Sequence, residues 1–77
     1  MKIVALRGGG QTVGFVSAVN HQTRDVAICA LLTEAKDYSK FSQVQIEQEI
    51  TKLNQYSVER MYGLVFVADY SGFYRYY

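Results

Sequence analysis

Three apolar segments constrain the fold of this chain more than any other feature. Ile3 to Leu6, Val26 to Leu32 and Leu64 to Ala68 are apolar at both odd and even positions. Because successive side chains of a strand point to opposite faces of its sheet, strands of this kind need cover on both faces. The chain has only 77 residues, which allows a single domain over residues 1–77 with a small core.

The first part of the chain predicts strands that are joined by short turns. Lys2 to Arg7 and Thr12 to Val19 have strand composition, and the glycine-rich Gly8 to Gln11 between them suits a hairpin connection. The polar stretch from Asn20 to Asp25 predicts a second turn, because its side chains can bond to nearby backbone. The glycines do not predict a phosphate-binding loop, since no Gly-Lys-Ser/Thr sequence is present and a strand follows.

The segment after the second turn admits two interpretations. Val26 to Leu32 is suited to a third strand, and the hairpin-like turn before it favours this interpretation. Apolar residues also recur at helical spacing over 26–38, and alanines there favour a helix. We therefore predict a strand and keep a second helix over 26–38 as the alternative.

A helix is predicted over 43–56. Ser42 and Gln45 have the spacing of a capping box, and Phe41 and Ile46 have that of a hydrophobic staple. The apolar residues Ile46, Ile50 and Leu53 then share one narrow stripe of the helix.

Aromatic and β-branched residues return after this helix. Met61 to Tyr70 predicts a long strand, Ser71 and Gly72 can form a turn, and Phe73 to Tyr77 predicts a last strand. The order β-β-β-α-β-β corresponds to an α+β fold: a small antiparallel or mixed sheet of about five strands packed against one helix in two layers.

This element count predicts a partner. One helix can cover only one face of the sheet, so the other face needs different cover unless 26–38 forms a second helix. We therefore expect a homodimer or a complex with a larger protein.

Composition disfavours two other classes of function. The chain has 8 Lys and Arg against 7 Asp and Glu, for a net charge of +1, and no block of like charge. Binding driven by phosphate neutralisation needs a denser basic field. The longest apolar run, Val26 to Leu32, is far shorter than the roughly 20 residues of a membrane span, so no membrane span is expected. No signal peptide is expected either, because the apolar run from Ile3 to Leu6 ends at Arg7, short of the roughly 7 to 15 apolar residues that a signal peptide needs.

Few residues suggest metal binding or catalysis. His21 and Cys29 are the only histidine and cysteine, and a structural zinc site takes about four such ligands. Cys29 lies in an apolar run, where a reduced core cysteine is expected rather than a reactive thiolate. A reduced cysteine also suits a cytoplasmic protein. The seven carboxylates show no paired spacing and are expected to be solvated: Asp25, Glu34, Asp37, Glu47, Glu49, Glu59 and Asp69. We expect no enzyme activity and no cofactor.

Tyrosine and arginine dominate the end of the chain. Both residue types are enriched at the centres of protein interfaces. Strand alternation directs the last rings to both sides, and so small a core cannot bury them all. The candidate partner-binding residues are Tyr70, Phe73, Tyr74, Arg75, Tyr76 and Tyr77.

We therefore expect a non-enzymatic protein-interaction module, such as a small inhibitor, adaptor or regulatory subunit. Inhibitors carried by phages and other mobile elements are one setting for a protein of this size. The alternative is a protein that stacks single-stranded nucleic acid on aromatic rings and steers it with arginines. The residues of that alternative site are Arg60, Tyr62, Phe66, Tyr74 and Arg75.

Overall fold

The computed structural model describes residues 1–70, in which four strands form one antiparallel sheet with the order β3-β2-β1-β4. The elements are β1 (Lys2–Arg7), β2 (Gln11–Asn20), β3 (Asp25–Cys29), a 3-10 turn (Leu32–Glu34), α1 (Gln43–Arg60) and β4 (Leu64–Asp69). A two-layer α+β fold with one helix is therefore confirmed within these residues. The fifth strand predicted at Phe73 to Tyr77 lies outside them.

The two hairpin turns lie where the sequence predicts them. Gly9 and Gly10 have φ angles of 86° and 82°, a conformation that glycine adopts without steric cost. The amide of Gly10 donates to the carbonyl of Arg7 at 3.0 Å, which closes the first turn. In the second turn, the side-chain oxygen of Asn20 accepts from the amides of Gln22 and Thr23 at 3.0 and 3.1 Å.

The strand interpretation of the segment after the second turn is confirmed, and the second helix is wrong. The strand ends at Cys29 rather than at Leu32. Beyond it the chain bonds to the sheet: the amide of Lys36 donates to the Val16 carbonyl and that of Tyr38 to the Met1 carbonyl, both at 2.9 Å. A helix would bond these amides internally, so the two arrangements compete for the same donors.

Helix α1 begins where the sequence predicts it and continues beyond the predicted end. The amide of Gln45 donates to Ser42 Oγ at 3.2 Å, and the amide of Ser42 donates to Gln45 Oε1 at 2.8 Å. This reciprocal pair is the predicted capping box. The helix reaches Arg60 and ends at Met61, whose φ of 58° is left-handed. The strand predicted from Met61 therefore begins only at Leu64.

The core lies on both faces of the sheet. The first cluster packs between the sheet and α1 and consists of Ile3, Ala5, Val16, Tyr38, Leu53, Tyr56 and Phe66. Val4, Phe15 and Ala35 form a second cluster. Since Val4 alternates with Ile3 and Ala5 along β1, this second cluster lies on the opposite face of the sheet.

The second face of the sheet is covered at its centre within the single chain, although α1 covers only the first face. Val4 and Phe15 are only 0% and 2% exposed in a single chain. Ala35, from the segment that joins β3 to α1, packs on them, and Lys2 Nζ donates to the Ala35 carbonyl at 3.2 Å. The inference that a partner must cover this face is therefore wrong at the centre of the sheet.

Gly14 permits close packing between β2 and β3. A Cβ at this position would lie 2.6 Å from Ile28 Cγ2 and 2.7 Å from the Cys29 carbonyl oxygen. The carbonyl cannot withdraw without disturbing the pairing of the two strands.

We expect Gly14→Ala to reduce the free energy of unfolding by about 1–3 kcal/mol, the usual cost of overpacking, as measured by chemical denaturation.

Gly8→Ala is the matched control, because a Cβ at Gly8 would meet no atom within 4 Å. Its effect should stay within about 0.5 kcal/mol. Equal stability of the two variants would show that the close approach at Gly14 is not a real constraint.

Candidate functional site

A network of polar side chains connects the β2–β3 turn to α1. His21 Nδ1 lies 2.8 Å from the Tyr56 hydroxyl, and His21 Nε2 lies 3.0 Å from Glu49 Oε1. The Tyr38 hydroxyl donates to the other carboxylate oxygen of Glu49 at 3.1 Å. Tyr38 and Glu49 are buried, so each oxygen of a buried carboxylate has a partner.

Glu49 is the residue of this network that the sequence-based prediction missed. It was expected to be solvated, but it is 7% exposed. The signal was present: Ile46, Glu49, Leu53 and Tyr56 recur every three or four residues and share one face of α1. Glu49 thus falls on the apolar stripe, where a carboxylate needs hydrogen-bond donors.

Asp69 also differs from its expected solvated state, because it is 6% exposed at the end of β4. The remaining carboxylates of the chain, including Asp25, Asp37 and Glu59, are not among the buried polar residues. A wholly solvated set of acids was therefore the wrong expectation at two positions.

The geometry of this network suits a structural role better than catalysis. An imidazole that serves as general base needs one free nitrogen for its substrate. Both nitrogens of His21 already have partners within the chain. Cys29 is separate from the network: its thiol donates to the Leu31 carbonyl at 3.3 Å, and its side chain packs against the second cluster. A His21–Cys29 catalytic pair is therefore not formed.

Charged side chains fix the same turn to the C-terminal end of α1. Arg24 Nη1 lies 2.6 Å from Glu59 Oε2. Arg60 Nη2 lies 3.3 Å from Asp25 Oδ1 and also donates to the carbonyl of Thr23. Ion pairs at such exposed positions are each worth no more than about 1 kcal/mol. They orient the turn, whereas the buried hydrogen bond between Tyr38 and Glu49 is expected to contribute more of the stability.

The nucleic-acid alternative loses its central ring in this arrangement. Phe66 is 1% exposed and belongs to the first core cluster, so it cannot stack on a base. Tyr62 is partly buried, with its hydroxyl 3.4 Å from Asp25, and Arg60 contacts that same aspartate. Tyr74 and Arg75 lie outside the described residues.

The predicted protein-binding residues are described only at Tyr70, which is 63% exposed directly after β4. Phe73, Tyr74, Arg75, Tyr76 and Tyr77 lie outside the described residues.

Exposed apolar side chains lie on β4 and in the segment that joins β3 to α1. Leu31, Leu32 and Val65 are 58%, 52% and 53% exposed. Val65 pairs with Leu6 across β4 and β1, and Leu6 and Val67 pack half-buried against the second cluster. Leu31 and Leu32 belong to the segment that carries Ala35 onto this cluster. We call these five residues, Leu6, Leu31, Leu32, Val65 and Val67, the second-face margin.

Residues 1–70 contain no group of three His, Cys, Asp or Glu side chains that could hold a metal ion. Over the same residues, no helix has the length and apolar character needed to cross a membrane.

Comparison with known proteins gives no relative: no family model, curated protein or solved structure matches this chain. Its function is therefore inferred from geometry and chemistry.

The buried network predicts a pH dependence of stability. Burial raises the pKa of the Tyr38 hydroxyl above its ordinary value of 10.0, and the charge of Glu49 and the hydrogen bond to it raise this pKa further. Because the folded state holds this proton more tightly, Tyr38 contributes stability that is fully present below pH 10 and is lost as the pH rises further. Tyr38→Phe should cost about 1.5–3 kcal/mol near neutral pH.

The difference in unfolding free energy between the wild type and Tyr38→Phe should therefore shrink between pH 9 and pH 11. Urea denaturation at several pH values measures it, and the variant corrects for the other tyrosines and the lysines. A difference that stays constant over this range would mean that Tyr38 does not donate to a charged Glu49.

Proposed function

We propose that this protein is a non-enzymatic interaction module that acts in the cytoplasm by binding another protein, as an inhibitor, adaptor or regulatory subunit. The observation that carries this proposal is the second-face margin, where Leu31, Leu32 and Val65 each remain more than half exposed. The partner is a larger protein or a second copy of the chain.

The arrangement of these side chains supports binding better than their number does. Single apolar residues scattered over a surface are normal, whereas several exposed ones next to a buried apolar cluster are more typical of interaction sites. Leu31 and Leu32 lie in the chain between Cys29 and Ala35, which both pack in the second cluster. Leu6 and Val67 pack against Val4 and Phe15 from the side that Val65 shares. A partner that covers this margin would extend an existing core, and each square ångström of apolar surface removed from water contributes about 25 cal/mol.

Aromatic residues late in the sequence add to this proposal. Tyr70 is exposed where β4 has ended, and Phe73, Tyr74, Arg75, Tyr76 and Tyr77 follow it in the sequence. Rings with polar tips combine large contact area with hydrogen bonding, which is why they recur at binding hot spots.

Binding of single-stranded nucleic acid has less support. Its proposed platform includes Phe66, which lies in the core, and its proposed cation Arg60 contacts Asp25. Together with the net charge of +1, these contacts leave little to attract a phosphate backbone.

Charged substitutions on the second-face margin should abolish partner binding. The double variant Leu32→Glu, Val65→Glu places two carboxylates on the apolar surface, and both sites are exposed enough to leave the fold intact. In affinity capture from the native host, proteins retained by the wild type should be lost with this variant, because an unpaired charge would be buried in the contact.

Val44→Glu is the control, since Val44 is 62% exposed on α1 and outside the margin. It should retain the same proteins as the wild type. If the double variant also retains them, the margin is not the binding surface.

Removal of the C-terminal aromatic residues tests the other part of the proposal. A chain that ends at Gly72 lacks Phe73 to Tyr77 but keeps every element described above. We expect it to retain most of its secondary structure by circular dichroism and to lose association with the partner. Unchanged binding by the shortened chain would remove these residues from the interface.

A further inference from the structure

Helix α1 blocks part of one edge of the sheet, along the first half of β4. The amide of Phe66 donates to Asn54 Oδ1 at 2.8 Å, and Asn54 Nδ2 donates to the Phe66 carbonyl at 3.2 Å. At Leu64, two residues before Phe66 in β4, the Ser57 Oγ accepts from the backbone amide at 3.1 Å and donates to the carbonyl at 2.7 Å. Two side chains of the helix thus take the hydrogen-bonding positions of a neighbouring strand. No further strand can pair with β4 at Leu64 and Phe66.

The opposite edge, β3, has no such protection within residues 1–70. Its sheet partner is β2, and no described strand or side chain bonds to the outer backbone of Val26 to Cys29. In an antiparallel pair every second residue directs its N–H and C=O away from the neighbouring strand. Proteins usually protect such edges with charge, proline or a covering element. Val26 to Cys29 has neither charge nor proline.

We propose that β3 pairs antiparallel with β3 of a second copy, across a twofold axis at Ala27. This inference rests on the proposed function and names a second copy as one protein that the chain binds. In this register Ala27 faces Ala27 of the second copy, Val26 faces Ile28, and Asp25 faces Cys29. The two sheets become one continuous sheet of eight strands from residues 1–70 of each copy.

Charge and side-chain size favour this occupant and this register. Asp25 is the only charged residue of β3, and an axis at Ala27 places it opposite Cys29 rather than opposite a second aspartate. Directly opposed side chains of an antiparallel pair lie about 4.5–5.5 Å apart, a distance that two alanines fill without crowding. At Asp25, Arg60 and Tyr62 contact the side chain rather than the backbone, and no described side chain bonds to the outer backbone from Val26 to Cys29.

Exposed apolar surface adjoins the same edge. Leu31 and Leu32 follow β3 after a single intervening residue and are 58% and 52% exposed. Edge pairing would bring the second copy beside them, so hydrogen bonds between the strands and cover of these side chains would act together. The net charge of +1 on each chain opposes association only weakly.

Substitutions that place a positive or a negative charge at the twofold axis test the proposal. Ala27 is exposed, so Ala27→Lys and Ala27→Glu should both fold, as circular dichroism and thermal unfolding will show. The wild type should be a dimer by light scattering and analytical ultracentrifugation. The dimer dissociation constant of each variant alone should be about tenfold higher than that of the wild type, because like charges would face one another across the axis. An equimolar mixture of the two variants should restore a dimer that contains one copy of each.

Other outcomes would overturn the proposal. A wild type that stays monomeric at about 100 μM, or variants that each dimerise as well as the wild type, would exclude β3 self-pairing at this register. Hydrogen exchange provides a second readout, since the amides of Val26 to Cys29 that face outward should exchange more slowly as wild-type concentration rises. The capture experiment with Leu32→Glu, Val65→Glu is judged on other proteins that are retained, so a monomeric wild type would leave the proposed function standing.

Discussion

Burial of β1 on both faces is the constraint on which the rest of the structure depends. Ile3, Val4 and Ala5 are consecutive and all 0% exposed, so each face of the central sheet needs its own cover. Helix α1 supplies it on one face. On the other face Ala35 packs against Val4, and the chain around it bonds through Lys36 and Tyr38 to β2 and to Met1. A short connection therefore has the role that a second helix would have in a larger protein.

The helix has two further roles besides covering the sheet, and both depend on polar residues. Asn54 and Ser57 satisfy the outer backbone of β4, while Glu49 accepts from Tyr38 and contacts His21. These hydrogen bonds at Glu49, Asn54 and Ser57 are directional and so fix the rotation of the helix about its axis. Apolar packing alone specifies orientation less sharply, because hydrophobic contacts have no preferred direction.

The sequence predicted what local chemistry determines and missed what long-range contacts determine. The capping box at Ser42 and the turns at Gly8 to Gln11 and Asn20 to Asp25 depend on neighbouring residues, and all are confirmed. The burial of Glu49 depends on Tyr38 and His21, 11 and 28 positions away in the chain. A count of covering elements also misjudged the second face, since irregular backbone such as that around Ala35 has no periodic signal. Phe66 was misassigned for a related reason: an aromatic residue in a strand has the same pattern whether it faces a core or a ligand.

The polar contacts of the helix also determine which surfaces are left for binding. With α1 held by Asn54 and Ser57, β4 offers no free backbone at Leu64 and Phe66, so association through that stretch of edge would require the helix to move. The β2–β3 turn is held by His21 and Arg24, which keeps β3 in place with its outer edge turned away from β2. Within residues 1–70, β4 is therefore blocked at Leu64 and Phe66 while the outer backbone of β3 is open, so the proposed twofold pairing would use β3 of both copies and leave the blocked stretch of β4 outside the contact.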